Sequence, residues 1–296
     1  MYAIETFNLT KYYGKARGIV DVNLQVKEGE IFGFIGPNGA GKTTTIRTLL
    51  NFIFPTRGTA KVLGMDVVKD SVRIKEHVGY LPGEVDYYDD MTVSELLSYS
   101  ARFYRGDTKR RTADLLEAFD LDPTTRIHAL SHGNKKKLGI IQALLHQPRL
   151  LILDEPTSGL DPLVQKRFFE VLREENRRGT TIFFSSHILS EVERFCHRVA
   201  IIKEGRILKV DTIEDLKNKQ FRSVRITFKE TAPPTLEIPG VVHARRDDDT
   251  LHLLFGGDVN DLIRALSRYQ LVSLWLEEPD LEEVFMHYYE KGVEAS

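Results

Sequence analysis

Apolar positions fall into two rhythms along this chain. Short unbroken runs, Ile31-Phe32-Gly33-Phe34-Ile35, Leu150-Leu151-Ile152-Leu153 and Thr180 to Phe184, read as strands buried on both faces. Between them the pattern turns helical: Thr44 to Leu50, Thr92 to about Tyr104, about Thr108 to Phe119, residues 134–146, and a segment opened by Pro162 and closed near Gly179. Thr92-Val93-Ser94-Glu95 has the spacing of a capping box. Residues 1–35 predict short strands with turns at Tyr13-Gly14-Lys15 and Lys27-Glu28-Gly29-Glu30, and Glu204-Gly205 predicts a hairpin. Strands alternating with helices define an α/β class with a mostly parallel, covered sheet.

The rhythm changes near residue 220. Arg222 to Phe228 alternates like a half-buried strand, and Ala232-Pro233-Pro234-Thr235 breaks the chain. A strand at Leu251–Phe255, a helix from Val259 to Tyr269, a strand from Leu271 to Leu276 and a last helix after Pro279, reaching Tyr288-Tyr289, follow. The expected division is a large domain over 1–220 and a small α+β accessory domain over 221–296.

Composition narrows the function. The 296 residues are 42% hydrophobic and 28% charged, ample for a core. Lys+Arg 41 against Asp+Glu 43 leaves a net charge of −2, so no global basic field favours a nucleic-acid partner. The single Cys196 excludes an intrachain disulfide and a cysteine zinc site and suits a reducing cytoplasm. Met1-Tyr2-Ala3-Ile4-Glu5 does not read as a signal peptide. No apolar run approaches the ~20 residues that span a bilayer, so a role at a membrane would need another chain to supply the pore.

The chemistry centres on Gly36-Pro37-Asn38-Gly39-Ala40-Gly41-Lys42-Thr43, which fits G-x-x-x-x-G-K-[ST]. An apolar strand precedes it and a helix continues through Thr44, the context this motif requires. Glycines let backbone N–H groups face phosphate oxygens, Lys42 adds a positive charge, and the Thr43 hydroxyl can reach Mg²⁺. The chain therefore binds a nucleoside triphosphate. The strand at 150–153 ends in Asp154-Glu155, where one carboxylate can hold Mg²⁺ and the next activate water. Alone, such an ending is a common pair of solvated acids; beside a phosphate loop it is not. Asp161 precedes a helix whose first residue is Pro162, and His187 ends an apolar strand where it can contact a γ-phosphate. Leu130-Ser131-His132-Gly133-Asn134 precedes another helix, whose free N–H groups could bind phosphate. As a plain cap by Ser131 the segment needs no ligand, and Lys135-Lys136-Lys137 then read as a solvated face.

Together these segments resemble the ATP-binding subunit of ABC transporters over about residues 3–220. Gly36–Thr43 matches the first nucleotide motif, Leu130–Asn134 the signature, Leu150–Glu155 the second motif, Ser158–Asp161 the D-loop and His187 the switch histidine. Tyr13 falls where the family stacks an aromatic on adenine. The resemblance implies a RecA-like P-loop ATPase core with a β subdomain and a helical subdomain near 92–145. It also implies a cytoplasmic protein, peripheral on the inner face of the membrane, using ATP and Mg²⁺ with separate transmembrane permease subunits. Two copies, expected to be a homodimer, would join Lys42, Thr43, Asp154, Glu155 and His187 of one to Ser131, Gly133 and Asn134 of the other. Glu278-Pro279-Asp280-Leu281-Glu282-Glu283-Val284-Phe285 resembles the C-terminal ending of bacterial and archaeal exporter ATPases, among them drug- and antibiotic-resistance systems.

Two positions depart from the family pattern. The usual signature is Leu-Ser-Gly-Gly-Gln, and this chain has His132 and Asn134. Gly83 stands where most members carry a glutamine that serves metal and coupling, and Glu84 is the candidate replacement as metal ligand. The rival class is a soluble ABC-type ATPase acting on DNA or ribosomes. It is disfavoured by the single ATPase domain, the near-neutral charge and the lack of sustained heptads between Lys42 and Asp154.

Overall fold

The computed structural model describes residues 1–87, 90–104, 106–218, 221–229 and 238–290, the side chains of 218 and 287–290 excepted. The proline break at 232–235 therefore lies outside the described residues. Two compact units divide at Ile207 and Leu208.

In chain order the first unit contains β1 (Tyr2–Tyr13), β2 (Ala16–Lys27), β3 (Ile31–Ile35), α1 (Lys42–Leu49), β4 (Arg57–Val62), β5 (Met65–Asp66), α2 (Ser71–Lys75) and β6 (Val78–Leu81). Next come α3 (Val93–Ala101), α4 (Lys109–Ala118), α5 (His132–Leu144), β7 (Leu150–Asp154), α6 (Pro162–Arg177), β8 (Thr181–Ser186), α7 (Leu189–Phe195) and β9 (Arg198–Lys203). The chain leaves by the Glu204-Gly205 turn into β10 (Arg206–Thr212), within which the division falls.

Every residue of β3, β7 and β8 is buried, which explains their unbroken apolar runs. They pair in parallel in the order β9-β3-β8-β7-β6, with Ile31 opposite Ile182 and Leu153 opposite Phe184. Phe32 and Phe183 stack between neighbouring strands at 6.0 Å. Because the strands run the same way, their C-terminal ends share one edge, where ligands of open α/β sheets bind.

A second sheet, order β2-β1-β4-β5, is antiparallel. Its first two strands are 12 residues each rather than the short strands expected. Register shifts accompany Asn8 and Asp21, whose φ values of 48° and 51° interrupt the alternation a strand should show. The capping box of α3 forms as its spacing predicts: Glu95 N donates to Thr92 Oγ1, and Thr92 N to Glu95 Oε2. Arg111 on α4 reaches Glu175, a carboxylate buried on α6, and so binds α4 to the sheet's cover, while Arg178 at the end of α6 pairs with the same carboxylate.

The second unit holds α8 (Ile213–Asn218), β11 (Arg222–Phe228), β12 (Val241–Asp247), β13 (Thr250–Phe255), α9 (Val259–Leu266), β14 (Leu271–Glu277) and α10 (Leu281–Glu290). Its sheet, β12-β13-β11-β14, is antiparallel throughout. Val224, Ile226, Leu253 and Phe255 pack against Leu262 and Leu266 of α9. The C-terminal motif has a packing basis here: Asp280 Oδ1 accepts from Glu283 N, while Leu281 and Val284 are fully buried.

Candidate functional site

The edge formed by the ends of β3, β7 and β8 gathers the predicted phosphate-side residues. Gly36 leaves β3 where a Cβ would lie 2.3 Å from the Ile202 carbonyl, so only glycine fits. Gly41 has φ 111°, which turns the loop into α1. Lys42 opens that helix but is only 6% exposed, because its ammonium points back into the loop. There Nζ donates to Gly36 O at 2.6 Å and Pro37 O at 3.2 Å and pairs with Glu155 Oε1 at 3.0 Å. The two carbonyls take two of its three N–H donors, and the contact with Glu155 is an ion pair, since Oε1 has no hydrogen-bond partner.

Asp154, at the end of β7, is 2% exposed. Thr43 donates to its Oδ2 at 2.8 Å and Ser185 on β8 to its Oδ1 at 2.7 Å. Two hard oxygens side by side, Thr43 Oγ1 and Asp154 Oδ2, suit Mg²⁺, which takes few protein ligands and completes its shell with phosphate and water. Glu155 follows with φ 48°, a left-handed conformation that is costly for a residue with a Cβ. Its amide donates to Ser185 O at 3.2 Å, fixing the turn. Its Oε2 lies 2.6 Å from His187 Nδ1. Lys42, Glu155 and His187 thus form one chain of polar contacts across the strand ends. Behind it, Thr157 donates to Glu191 Oε2 at 2.9 Å, and burial raises the pKa of that carboxyl.

A cavity of about 200 Å³ opens over the loop, lined by Tyr13, Arg17, Asn38, Gly39, Lys42 and Glu155, with Thr43 and Thr44 at its floor. Tyr13 is 47% exposed, its ring edge against Gly18, where a Cβ would come within 3.0 Å. Ser131, Gly133 and Asn134 are not among the residues lining that cavity. Ser131 N-caps α5 and accepts from Asn134 N at 3.3 Å; both Ser131 and His132 are exposed. Asp161 likewise caps α6, accepting from Leu163 N and Val164 N. The signature and D-loop meet within the chain: a Cβ on Gly159 would sit 2.5 Å from His132 Nδ1, so the imidazole needs a glycine beneath it.

The Gly83-Glu84 turn follows β6 beside the end of β7. A Cβ on Gly83 would lie 3.6 Å from Asp154 O, whereas Glu84 is exposed. Two participants escaped sequence reasoning. Ser185 looked like any strand residue, although a hydroxyl inside an apolar run was the signal for a buried polar partner. The plain-cap alternative puts Lys136 on a solvated face, whereas the side chain is 0% exposed.

A phosphate loop at the carboxyl edge of a parallel sheet, facing a held aspartate and a glutamate–histidine pair, defines a P-loop nucleoside triphosphatase. The family model for ABC transporters matches residues 19–158. The chain is 38% identical to the bacitracin transport ATP-binding protein of Bacillus licheniformis over 294 residues, 96% of each chain. It is 31% identical to the linearmycin resistance ATP-binding protein of Bacillus subtilis over 304 residues, 96% of this chain and 97% of that one. A solved structure of the ATP-binding subunit of an ABC transporter superposes with TM-score 0.70 at 32% identity, covering 73% of this chain and 92% of that one. The chain belongs to the ABC transporter ATP-binding family, and it is an ATP-binding, ATP-hydrolysing subunit of such a transporter. No helix among the described residues is long and apolar enough to cross a membrane.

Proposed function

We propose that this chain powers an exporter, working as a pair of identical copies beneath separate permease subunits on the inner face of the membrane. The resistance and antibiotic-transport names of its relatives favour export, and the half-built site favours a pair. The observation that carries the paired reading is the separation of the two phosphate-binding segments. The cavity over Lys42 contains no signature residue, while Ser131 stands exposed at the start of α5. A second copy brings the one to the other. Tyr13 stacks on the adenine at the mouth of the cavity. Mg²⁺, held by Thr43 and Asp154, would neutralise phosphate charge there.

Lys42 and Glu155 exchange partners in this scheme. The ammonium leaves the carboxylate for the β/γ-phosphates, and the freed Glu155 accepts a proton from the attacking water while His187 orients it from Oε2. Permease docking is assigned to the aromatic surface beside residues 83–87. A cavity of about 330 Å³ there is lined by Tyr80, Val85, Tyr87, Tyr99 and Phe103, and Phe103 is 65% exposed. The second unit is an accessory domain.

The experiment pairs two variants of the purified chain. Glu155→Gln should lower turnover by about 10²–10⁴-fold, the span of a general base, with ATP affinity retained and the closed pair accumulating on a sizing column. Lys42→Ala should lose affinity as well, by about 1.5–3 kcal/mol for charged hydrogen bonds. Steady turnover in Glu155→Gln would remove the base from that residue.

A further inference from the structure

Of the three consecutive lysines after the signature, the middle one has no exposed surface. Lys136 Nζ donates to Pro82 O at 3.1 Å and Gly83 O at 2.8 Å. A buried ammonium is tolerated only when its donors are met, and charge-assisted bonds to carbonyls are strong and directional. Burial lowers the Lys136 pKa to about 8, while the Asp154 and Glu155 carboxylates act in the opposite sense, so it is charged at neutral pH.

The same side of α5 continues the seating. One turn on, a Cβ at Gly139 would lie 2.8 Å from both Leu81 Cδ1 and Tyr87 Oη and 3.3 Å from Val85 Cγ1. Gln142, a further three residues along, donates to Ser100 Oγ of α3 at 2.8 Å. Lys136, Gly139 and Gln142 follow the i, i+3 spacing of one helix face. Just before the clamped carbonyls, Leu81 of β6 pairs in parallel with Leu153 of β7, the residue before Asp154.

We propose that Lys136 is a positioning residue for hydrolysis. By clamping the Pro82-Gly83 carbonyls it binds α5, whose N-terminus carries Ser131 and Gly133, to the Asp154 end of β7. The link runs through the β6–β7 pairing, where Leu81 lies opposite Leu153. A shift of the 82–87 loop is passed to the signature end of the helix, and the reverse. This rests on the reading of Asp154 and Glu155 as the reaction centre.

The test uses the purified full chain. Lys136→Met removes the donors at similar length, and Lys136→Gln keeps a shorter amide donor. Lys136→Met should lower kcat about tenfold or more, with the ATP Kd and KM within twofold of wild type, and Lys136→Gln should recover part of the loss. Gly139→Ala, which pushes the loop from the same face without touching charge, should show the same split. If Lys136→Met loses its cooperative melt, Lys136→Gln and Gly139→Ala carry the measurement. Wild-type kcat in folded variants, or kcat and Kd falling together, would overturn the proposal. Because wild-type turnover is the reference, that failure leaves the ATPase reading intact; loss of the Glu155→Gln effect is what would remove the reaction centre itself.

Discussion

The phosphate loop and the signature segment are both glycine-bearing approaches to a helix start, yet they are finished differently. At the first, a buried lysine closes on its own loop and on Glu155, and Thr43 meets Asp154 across 111 residues of sequence. At the second, the helix start is open, and the buried lysine lies a turn below it, fastened to another loop. The residues of the first line one cavity; at the second, Ser131 caps its own helix outside that cavity. Under the proposed pairing, the backbone N–H groups of α5 serve an anion held by the other copy.

That contrast is broken most sharply by charge at the signature. Gly133→Asp places a carboxylate at the α5 N-terminus, where a Cβ would lie 3.3 Å from Gly159 O. Turnover should fall by about 10²-fold or more, the scale of losing preorganised donors to a charged transition state. Nucleotide affinity of the single chain, measured by titration at low protein concentration, should stay within twofold. A parallel loss of affinity would mean that the signature belongs to its own chain's cavity.

A smaller effect is expected at the cavity's mouth. Tyr13→Ala should weaken ATP binding by about 1–2 kcal/mol, the scale of a base–aromatic stack, and GTP by a similar amount, because a ring face is weakly base-selective. This variant should leave kcat at saturating ATP nearly unchanged, the opposite split from Gly133→Asp. An unaltered Kd would move the assignment to Tyr12, which is 39% exposed beside it.

How far these features can be read from residues alone depends on whether they are local. The phosphate loop is legible because its constraints are: Gly41 needs its positive φ, and strand, loop and helix are contiguous. The bond from Thr43 to Asp154 is not local, and only the family resemblance placed the two together. The burial of Lys136 is not legible because three adjacent lysines on a helix look solvated unless one knows what covers each face. The spacing of Lys136, Gly139 and Gln142 was the available hint, and it means nothing until the 82–87 loop is placed. In β1 and β2, Asn8 and Asp21 break the two-residue period at bulges, so 12-residue strands read as several short ones. The alternation in β11 is uninterrupted, and there the expected bounds and the observed ones coincide.

The last and smallest effect concerns the mounting of the signature helix and appears as a stability slope with pH. Burial holds the folded-state pKa of Lys136 near 8, against 10.5 for a free lysine. Between those values the unfolded chain binds a proton that the folded chain has released. Stability contributed by this group therefore rises with pH across the window. Below pH 8 both states are charged and the burial penalty is constant; above 10.5 both are neutral and it is gone. One full proton corresponds to a slope of about 1.4 kcal/mol per pH unit, an upper bound for a single group. Tyrosines oppose it at the top of the window: burial lifts Tyr80 to about 12, so ionisation favours the unfolded chain there. The readable quantity is thus the wild-type slope minus that of Lys136→Met, from urea melts at pH 8, 9 and 10. Wild type should gain stability relative to the variant as pH rises. Parallel curves would show that the ammonium is not desolvated in solution, and the loop would then be held by packing at Gly139 rather than by the lysine.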